Sequence, residues 1–446
     1  MKVYYLTDAC VLIEYEGKKL ICDPWLSESI CYGGLYHYPP INLNINDYLN
    51  VDAIYISHIH EDHLDSQTLK YYNKEIPVLI HCYEEKHVYN KLKGLGFNNI
   101  IELGHKESYQ IIEDFTIEIL AADDCNPLIC NKFFGCQVSQ SYEKSLQIDS
   151  LAVFQAGDKV VVNTNDCPYE LSFPMNTYIK NKYKKIDYLL TSYNGASPYP
   201  QCFDNFSHDE KLVEKEKIKL KCLNRLVNYC KDLKPKYVMP FAAQRVLGGE
   251  KWFLNQYVAA TPFEEVERTV TDLLNTNKIA TKVIMVNSGD YFDLNTEEKS
   301  NEFSPPTKEY RENYIENVLG KKEYTFSFED IEEVNLLEDF KIAHQRMIKK
   351  MKEVYHDMQI NTTLYIDAKQ GYLYRIPMCE ELCTVVTESQ FSKPFLKITL
   401  DYKLLYLILN RKAHWNNAEF ASLLNFQREP NEFERSVHHI ISYLHK

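Results

Sequence analysis

No stretch of this chain approaches the roughly 20 consecutive apolar residues that a membrane helix needs. The first residues, Met1-Lys2-Val3-Tyr4-Tyr5, enter strand-like sequence at once, with no secretion-signal pattern. These two absences point to a cytoplasmic protein without a membrane partner. Positive charge is also short: 50 Lys and Arg stand against 63 Asp and Glu, a formal charge of -13, which argues against nonspecific attraction to nucleic acid or anionic lipid. The 13 cysteines are odd in number and scattered, so they read as reduced thiols rather than a disulfide framework. No Cys-x-His pair, internal repeat or low-complexity segment occurs. What is present is length: 446 residues, 45% of them hydrophobic, can fill the cores of one large or two medium domains.

The most demanding stretch follows an apolar run at residues 51–56. It reads Ser57-His58-Ile59-His60-Glu61-Asp62-His63-Leu64-Asp65, with helix-like sequence at residues 65–73. His58 and His60 are two apart, so in an extended loop both imidazoles face one side and can grip one ion. Asp62 and His63 come where the chain must turn, and reach a second ion or complete the shell of the first. Imidazole nitrogen and carboxylate oxygen suit zinc, iron or manganese, whereas calcium prefers oxygen alone; the loop holds no thiolate. Polar ligands this dense beside a core strand call for a partner.

Around this loop the chain alternates. Residues 3–7, 10–15 and 19–22 read as strands, with a turn at Glu16-Gly17-Lys18 and a stop at Asp23-Pro24-Trp25. Residues 26–49, with Gly33-Gly34 and Pro39-Pro40, read as a structured loop able to wall a pocket. Strands at 77–81 and 100–103 flank a helix at 84–95 that Gly96 ends. The alternating strand 115–121 runs into Asp123-Asp124-Cys125-Asn126-Pro127. A hairpin of 149–155 and 159–162 opens onto Asn163-Thr164-Asn165-Asp166-Cys167, which places Asp166 on a strand-end loop, as His58 is. Strands at 186–191, 237–241 and 282–286 and a charged helix at 209–231 complete a first domain, residues 1–295.

Residues 296–310, with Ser304-Pro305-Pro306, read as a linker. In 311–446, Leu336, Phe340, Ala343, Met347, Met351, Val354 and Met358 recur at helical spacing. Strands at 362–368, 372–377, 383–387 and 395–402 and helices at 404–410, 417–425 and 431–445 then make a smaller α+β domain. Trp415-Asn416-Asn417 reads as packing, a lid or a dimer contact, and His208, His344 and His414 as packed or surface residues.

His58-Ile59-His60-Glu61-Asp62-His63 resembles the HxHxDH signature of the metallo-β-lactamase fold, a four-layer αββα sandwich with a one- or two-metal site at its edge. Further stretches are Cys22-Asp23-Pro24-Trp25-Leu26, residues 52–64 and 163–167, Asn194-Gly195-Ala196-Ser197 and Met239-Pro240-Phe241-Ala242. They are similar, in the same order, to the corresponding domain of CMP-N-acetylneuraminate hydroxylases, over residues 1–260. The resemblance implies metal ligands at His58, His60, Asp62 and His63, with Asp166 as the carboxylate that bridges or joins the ions. The cofactor it implies is one or two transition-metal ions, zinc or iron.

Two departures stand out. The fold's third histidine falls nearest Asn126, and its last histidine falls where this chain has Ala242, Ala243 and Gln244. Either other residues complete the shells, with Asp124, Cys125 and Gln244 as candidates, or the site holds one ion. Cys125, Cys130, Cys136 and Cys167 lie around these loops at spacings that match no zinc or cluster motif, and read as reduced thiols. The hydroxylases also carry a Rieske iron–sulfur module bound by Cys-x-His pairs, which this sequence lacks.

Three functional readings follow. One is a metal-dependent hydrolase of a small polar substrate, nucleotide- and sugar-linked compounds among them, with Asp62 or Asp166 orienting the water or taking its proton. Another, implied by the resemblance, is a non-haem iron oxygenase supplied with electrons by a separate partner. The third is a metal-binding scaffold or interaction module, since two expected histidines are replaced.

Overall fold

The computed structural model describes residues 1–122, 149–242, 244–332, 335–355 and 360–446. The turn at 123–127 with Asp124, Cys125 and Asn126, together with Cys130, Cys136 and Ala243, lies outside the described residues. Two sheets face each other. The first runs, in spatial order, Glu298–Lys299, Tyr291–Asp293, Lys2–Thr7, Cys10–Tyr15, Lys18–Cys22, Ala53–Ile56, Val78–His81 and Ile100–Leu103. The second runs Lys282–Val283, Tyr237–Pro240, Tyr188–Thr191, Lys159–Asn163, Ser150–Ala156, Phe115–Ala121 and Glu107–Ile112.

Period-two patterning stacks the layers. In the strand Phe115–Ala121, Phe115, Ile117 and Ile119 enter the gap between the sheets and join Val3, Val11, Leu20, Tyr55 and Leu79 of the first sheet in one cluster. On the outer face of the first sheet, Ile54, Ile56, Val78 and Ile80 are covered through Leu69 of helix Ser66–Leu69 and Val88 and Leu92 of helix His87–Gly94. On the outer face of the second, Leu151, Val153, Val162 and Leu189 are covered by helices Tyr169–Tyr183, His208–Leu233 and Phe263–Thr276. Helix, sheet, sheet and helix give the αββα sandwich of the metallo-β-lactamase fold, as expected from the sequence.

Other elements differ from expectation. Helices Tyr169–Tyr183 and Phe263–Thr276 and strand Glu107–Ile112 lie in segments read without structure. Pro174 inside the first of these helices removes one backbone donor, which masks the pattern. The loop 26–49 contains strands Ser29–Ile30 and Leu35–His37, the latter pairing with Arg245–Leu247. The first sheet runs past the expected boundary at 295, because Glu298–Lys299 turns back to pair with Tyr291–Asp293. Ile315 and Leu319 then pack in the helix layer of the second sheet.

The remaining sheet has the order Thr384–Val386, Leu373–Ile376, Thr363–Asp367, Phe395–Thr399 and Asn425–Glu429. Its last strand overlaps the end of the helix expected at 417–425, which stops at Phe420. Phe340, Ala343, Met347 and Met351 of helix Leu337–Tyr355 are buried against this part, as their spacing implies. Trp415 is buried and donates from Nε1 to the Leu444 carbonyl at 3.0 Å, so packing accounts for it. Among the described residues no helix is long and apolar enough to cross a membrane.

Candidate metal centre

Parallel neighbours release their next residues at the same end. Strands Lys18–Cys22 and Ala53–Ile56 run parallel with Cys22 opposite Tyr55, so Asp23 and Ser57 emerge side by side. In the second sheet Lys159–Asn163, Tyr188–Thr191 and Tyr237–Pro240 are also parallel; the loops after the first two carry Asp166 and Asn194, and the short connection after the third leads into Arg245 at the start of strand Arg245–Leu247. Chain leaving the ladder is free to turn its side chains inward, which is why sites of open α/β sheets collect at these ends.

Asp23 organises the cluster. Fully buried, its carboxylate accepts from Ser57 N at 2.7 Å and Ser57 Oγ at 2.6 Å, and meets His63 Nδ1 at 2.7 Å. That contact leaves Nε2 as the free face of His63. Ser57 Oγ also lies 3.0 Å from Nδ1 of His58, whose Nε2 faces Nδ1 of His60 at 2.9 Å. Two nitrogens bound to one ion at about 2.0–2.1 Å stand roughly 2.9–3.4 Å apart. The histidine pair has that spacing.

His63 Nε2 lies 3.6 Å from Asp62 Oδ2 and 3.5 Å from Asp166 Oδ2. Asp149 Oδ1 is 3.6 Å from His58 Nδ1. Nε2 of His63, Oδ1 of Asp62 and Oδ1 of Asp149 are buried without hydrogen-bond partners. Among the described residues, ligand atoms of His58, His63 and Asp166 all lie within 4.8 Å of one another. Orphaned polar atoms in so tight a group are costly unless a cation fills the space between them. The residues present therefore fit a transition-metal ion.

Charge supports the fit. Burial, helped by neighbouring histidines, lowers His58 and His60 to about 4, so both are neutral near pH 7, the form that binds metal. Burial pushes His63 the same way, but Asp62, Asp23 and Asp166 outweigh it and hold a proton there well above the usual range. Burial would raise Asp166, yet His63 pulls it well below the ordinary carboxylate range. Asp149 is pushed up to about 6, chiefly by burial. Asp166, with its side chain 24% exposed, is the most open of the acids around His63.

Asp62 is engaged by a residue that sequence reading passed over. Its Oδ2 accepts from Arg245 Nη1 at 2.9 Å, and that nitrogen also lies 3.4 Å from Asp8 Oδ2. Gln244, a candidate ligand from sequence, is held elsewhere: Tyr5 donates its hydroxyl to Oε1, and Gln244 N donates to Asp8 Oδ1 at 2.8 Å. Asp8 and Asp149 were missed as well. Each borders an apolar strand, a signal that gains meaning only once the strands are placed.

The C-terminal part closes over this end. The Phe420 ring stacks on His60, with centroids 6.2 Å apart, and lies 4.1 Å from the Arg245 guanidinium carbon. Glu61 accepts from Asn417 Nδ2 and Cys31 N, each at 2.7 Å. The lone histidines are engaged elsewhere: His208 Nδ1 with the Tyr257 hydroxyl and His344 Nε2 with the Pro377 carbonyl, each at 2.7 Å, while His414 caps helix Trp415–Phe420. Cys167 is buried.

Residues 2–126 match the sequence model of the beta-lactamase superfamily domain. The chain is 24% identical to the cytidine monophosphate-N-acetylneuraminic acid hydroxylase of Danio rerio over 331 residues, covering 70% of this chain and 50% of that protein. It is 25% identical to the Mus musculus protein of the same name over 290 residues, covering 62% of this chain and 44% of that one. This chain thus spans about half the length of these relatives. Among solved structures, an isothiocyanate hydrolase from Delia radicum gut bacteria superposes with a TM-score of 0.45 at 15% identity, covering 66% of this chain and 99% of that one.

Proposed function

We propose, for a chain whose residues 2–126 carry the beta-lactamase superfamily domain, that the centre is that of a metal-dependent hydrolase acting on a small polar substrate. The observation that supports it is the close group of His58, His63 and Asp166, with Nε2 of His63 buried without a partner and His60 Nδ1 2.9 Å from His58 Nε2. A zinc or iron ion held by these residues would lower the pKa of a water and polarise the bond to be cleaved. Hydrolysis would consume only water, its hydroxyl going to the electrophilic carbon or phosphorus and its proton to the leaving group.

The chain's own residues divide the remaining work. Asp166, the most open of the acids around His63, orients the incoming water. Asp62, tied to Arg245, keeps the loop in place instead of exchanging protons. Asp23 holds the His63 ring in line, and Phe420 screens His60 from bulk water. Replacing His60 or Asp166 with Ala should abolish metal-dependent turnover on a panel of esters, amides and phosphodiesters. Turnover that survives in either folded variant refutes the assignment.

The names of the curated relatives favour a second reading, an iron oxygenase of a polar sugar or nucleotide-linked substrate. It requires an electron-donating partner, which the hydrolase does not. Elemental analysis of protein purified without added metal separates the two when combined with assays in and out of air. Zinc with anaerobic turnover supports the hydrolase, and iron with oxygen-dependent product supports the oxygenase.

A further inference from the structure

We propose that Arg245 supplies the second positive charge of the centre from within the chain, so that the site takes one ion, held by His58, His60, His63 and Asp166. This rests on reading the cluster as a metal centre. In a two-metal site the ions sit about 3.5–4 Å apart, so a second ion beside the first would come close to the neighbouring Asp62. Asp62 is the acid of the histidine loop that faces a second position, and one of its two oxygens, Oδ2, is already bonded to Arg245 Nη1 at 2.9 Å.

The guanidinium can neither lose its charge nor leave. Arginine stays protonated in proteins. This side chain is 7% exposed, with Asp8 Oδ2 at 3.4 Å on one side and the Phe420 ring at 4.1 Å on another. Its backbone is fixed by pairing of Arg245 with His37, and the preceding amide by Asp8. A dication placed against Asp62 would meet a fixed like charge in a buried site, where screening is weak. Arg245 opens the short strand that directly follows Ala242, Ala243 and Gln244, where the resemblance places the fold's last histidine.

Titration of the metal-free, full-length protein with cobalt(II), followed by visible absorption, tests this, with thermal melts confirming that each variant is folded. The wild type and Arg245→Lys, which keeps the charge, should saturate at one equivalent. Arg245→His and Arg245→Met, which remove it, should saturate at two. Saturation of the wild type at two equivalents overturns the role of Arg245 but leaves the metal centre standing. One equivalent in both charge-removing variants also overturns it. No binding by the wild type overturns the metal reading itself, and this inference with it.

Discussion

Three donors converge on the Asp23 carboxylate, and through them one side chain sets the orientation of two histidines. Asp23→Asn keeps the shape but loses an acceptor, so the His63 ring is no longer held with Nε2 inward. Metal affinity should drop about 10–100-fold, measured by competition with a chelator; an unchanged affinity would contradict the positioning role. His37 makes a prediction of another kind. It is buried against Trp25, with Nδ1 2.7 Å from Thr7 Oγ1 and Nε2 2.9 Å from the Ser27 carbonyl, and burial lowers its pKa to about 3. An unfolded histidine titrates near 6.5, so on acidification the unfolded chain takes the proton first. Stability from this residue is complete above about 6.5 and is lost as pH falls toward 3. By pH 4.5 the loss should be on the order of 2–3 kcal/mol. Urea midpoints at pH 7.5, 5.5 and 4.5 should fall less steeply for His37→Gln than for wild type.

At the scale of elements, the histidine loop is held at both ends. Strand Ala53–Ile56 anchors its start, and Asp65 caps helix Ser66–Leu69 at its end, accepting from Gln67 N at 2.9 Å and Thr68 N at 3.0 Å. Thr68 Oγ1 donates to Asp65 and accepts from Leu26 N at 2.8 Å, so the cap also fixes the segment after Asp23. Asp65→Ala should cost about 1 kcal/mol or somewhat more, because three donors lose their acceptor. A lowered melting temperature checks it, and no shift would mean that the loop is held by other contacts. Legibility followed period at this scale. The strand Phe115–Ala121 alternates from Phe115 to Ile119 and was readable, whereas the edge strand Glu107–Ile112 has no fully buried residue and leaves no such mark. Phe263, Val266, Val270 and Leu274 do recur at helical spacing, so helix Phe263–Thr276 was within reach of the same argument.

Across the whole molecule, the two parts share one apolar cluster. Trp25, Leu35, Phe203, Leu247 and Leu254 of the sandwich pack with Leu404, Trp415, Leu423 and Phe426 of the C-terminal part. Phe426 N donates to the Cys202 carbonyl and Asp204 N to the Phe426 carbonyl, each at 2.8 Å. Gly34 allows the approach, since a Cβ there would stand 2.7 Å from Ala421 Cβ. Each of these large side chains contributes roughly 1.5–3 kcal/mol when buried, so neither part should melt without exposing the other. Scanning calorimetry should show one unfolding transition, and two well-separated transitions would contradict the shared core.

The sequence by itself marked the apolar strands and the loop where His58, His60, Asp62 and His63 gather, and the resemblance of that loop and its neighbours to the metallo-β-lactamase fold implied the sandwich. Those four side chains sit within six residues, so local geometry suffices to bring them together. Asp166 was reachable through the hairpin that delivers it. Only the tertiary structure decided that Asp23 and Asp149 join the cluster, that Arg245 instead of Gln244 meets Asp62, and that Phe420 covers His60. These contacts link residues as far apart as 60 and 420, and no periodicity encodes which strand end comes to lie beside which. The packing of the two sheets and the shared apolar cluster set those neighbours.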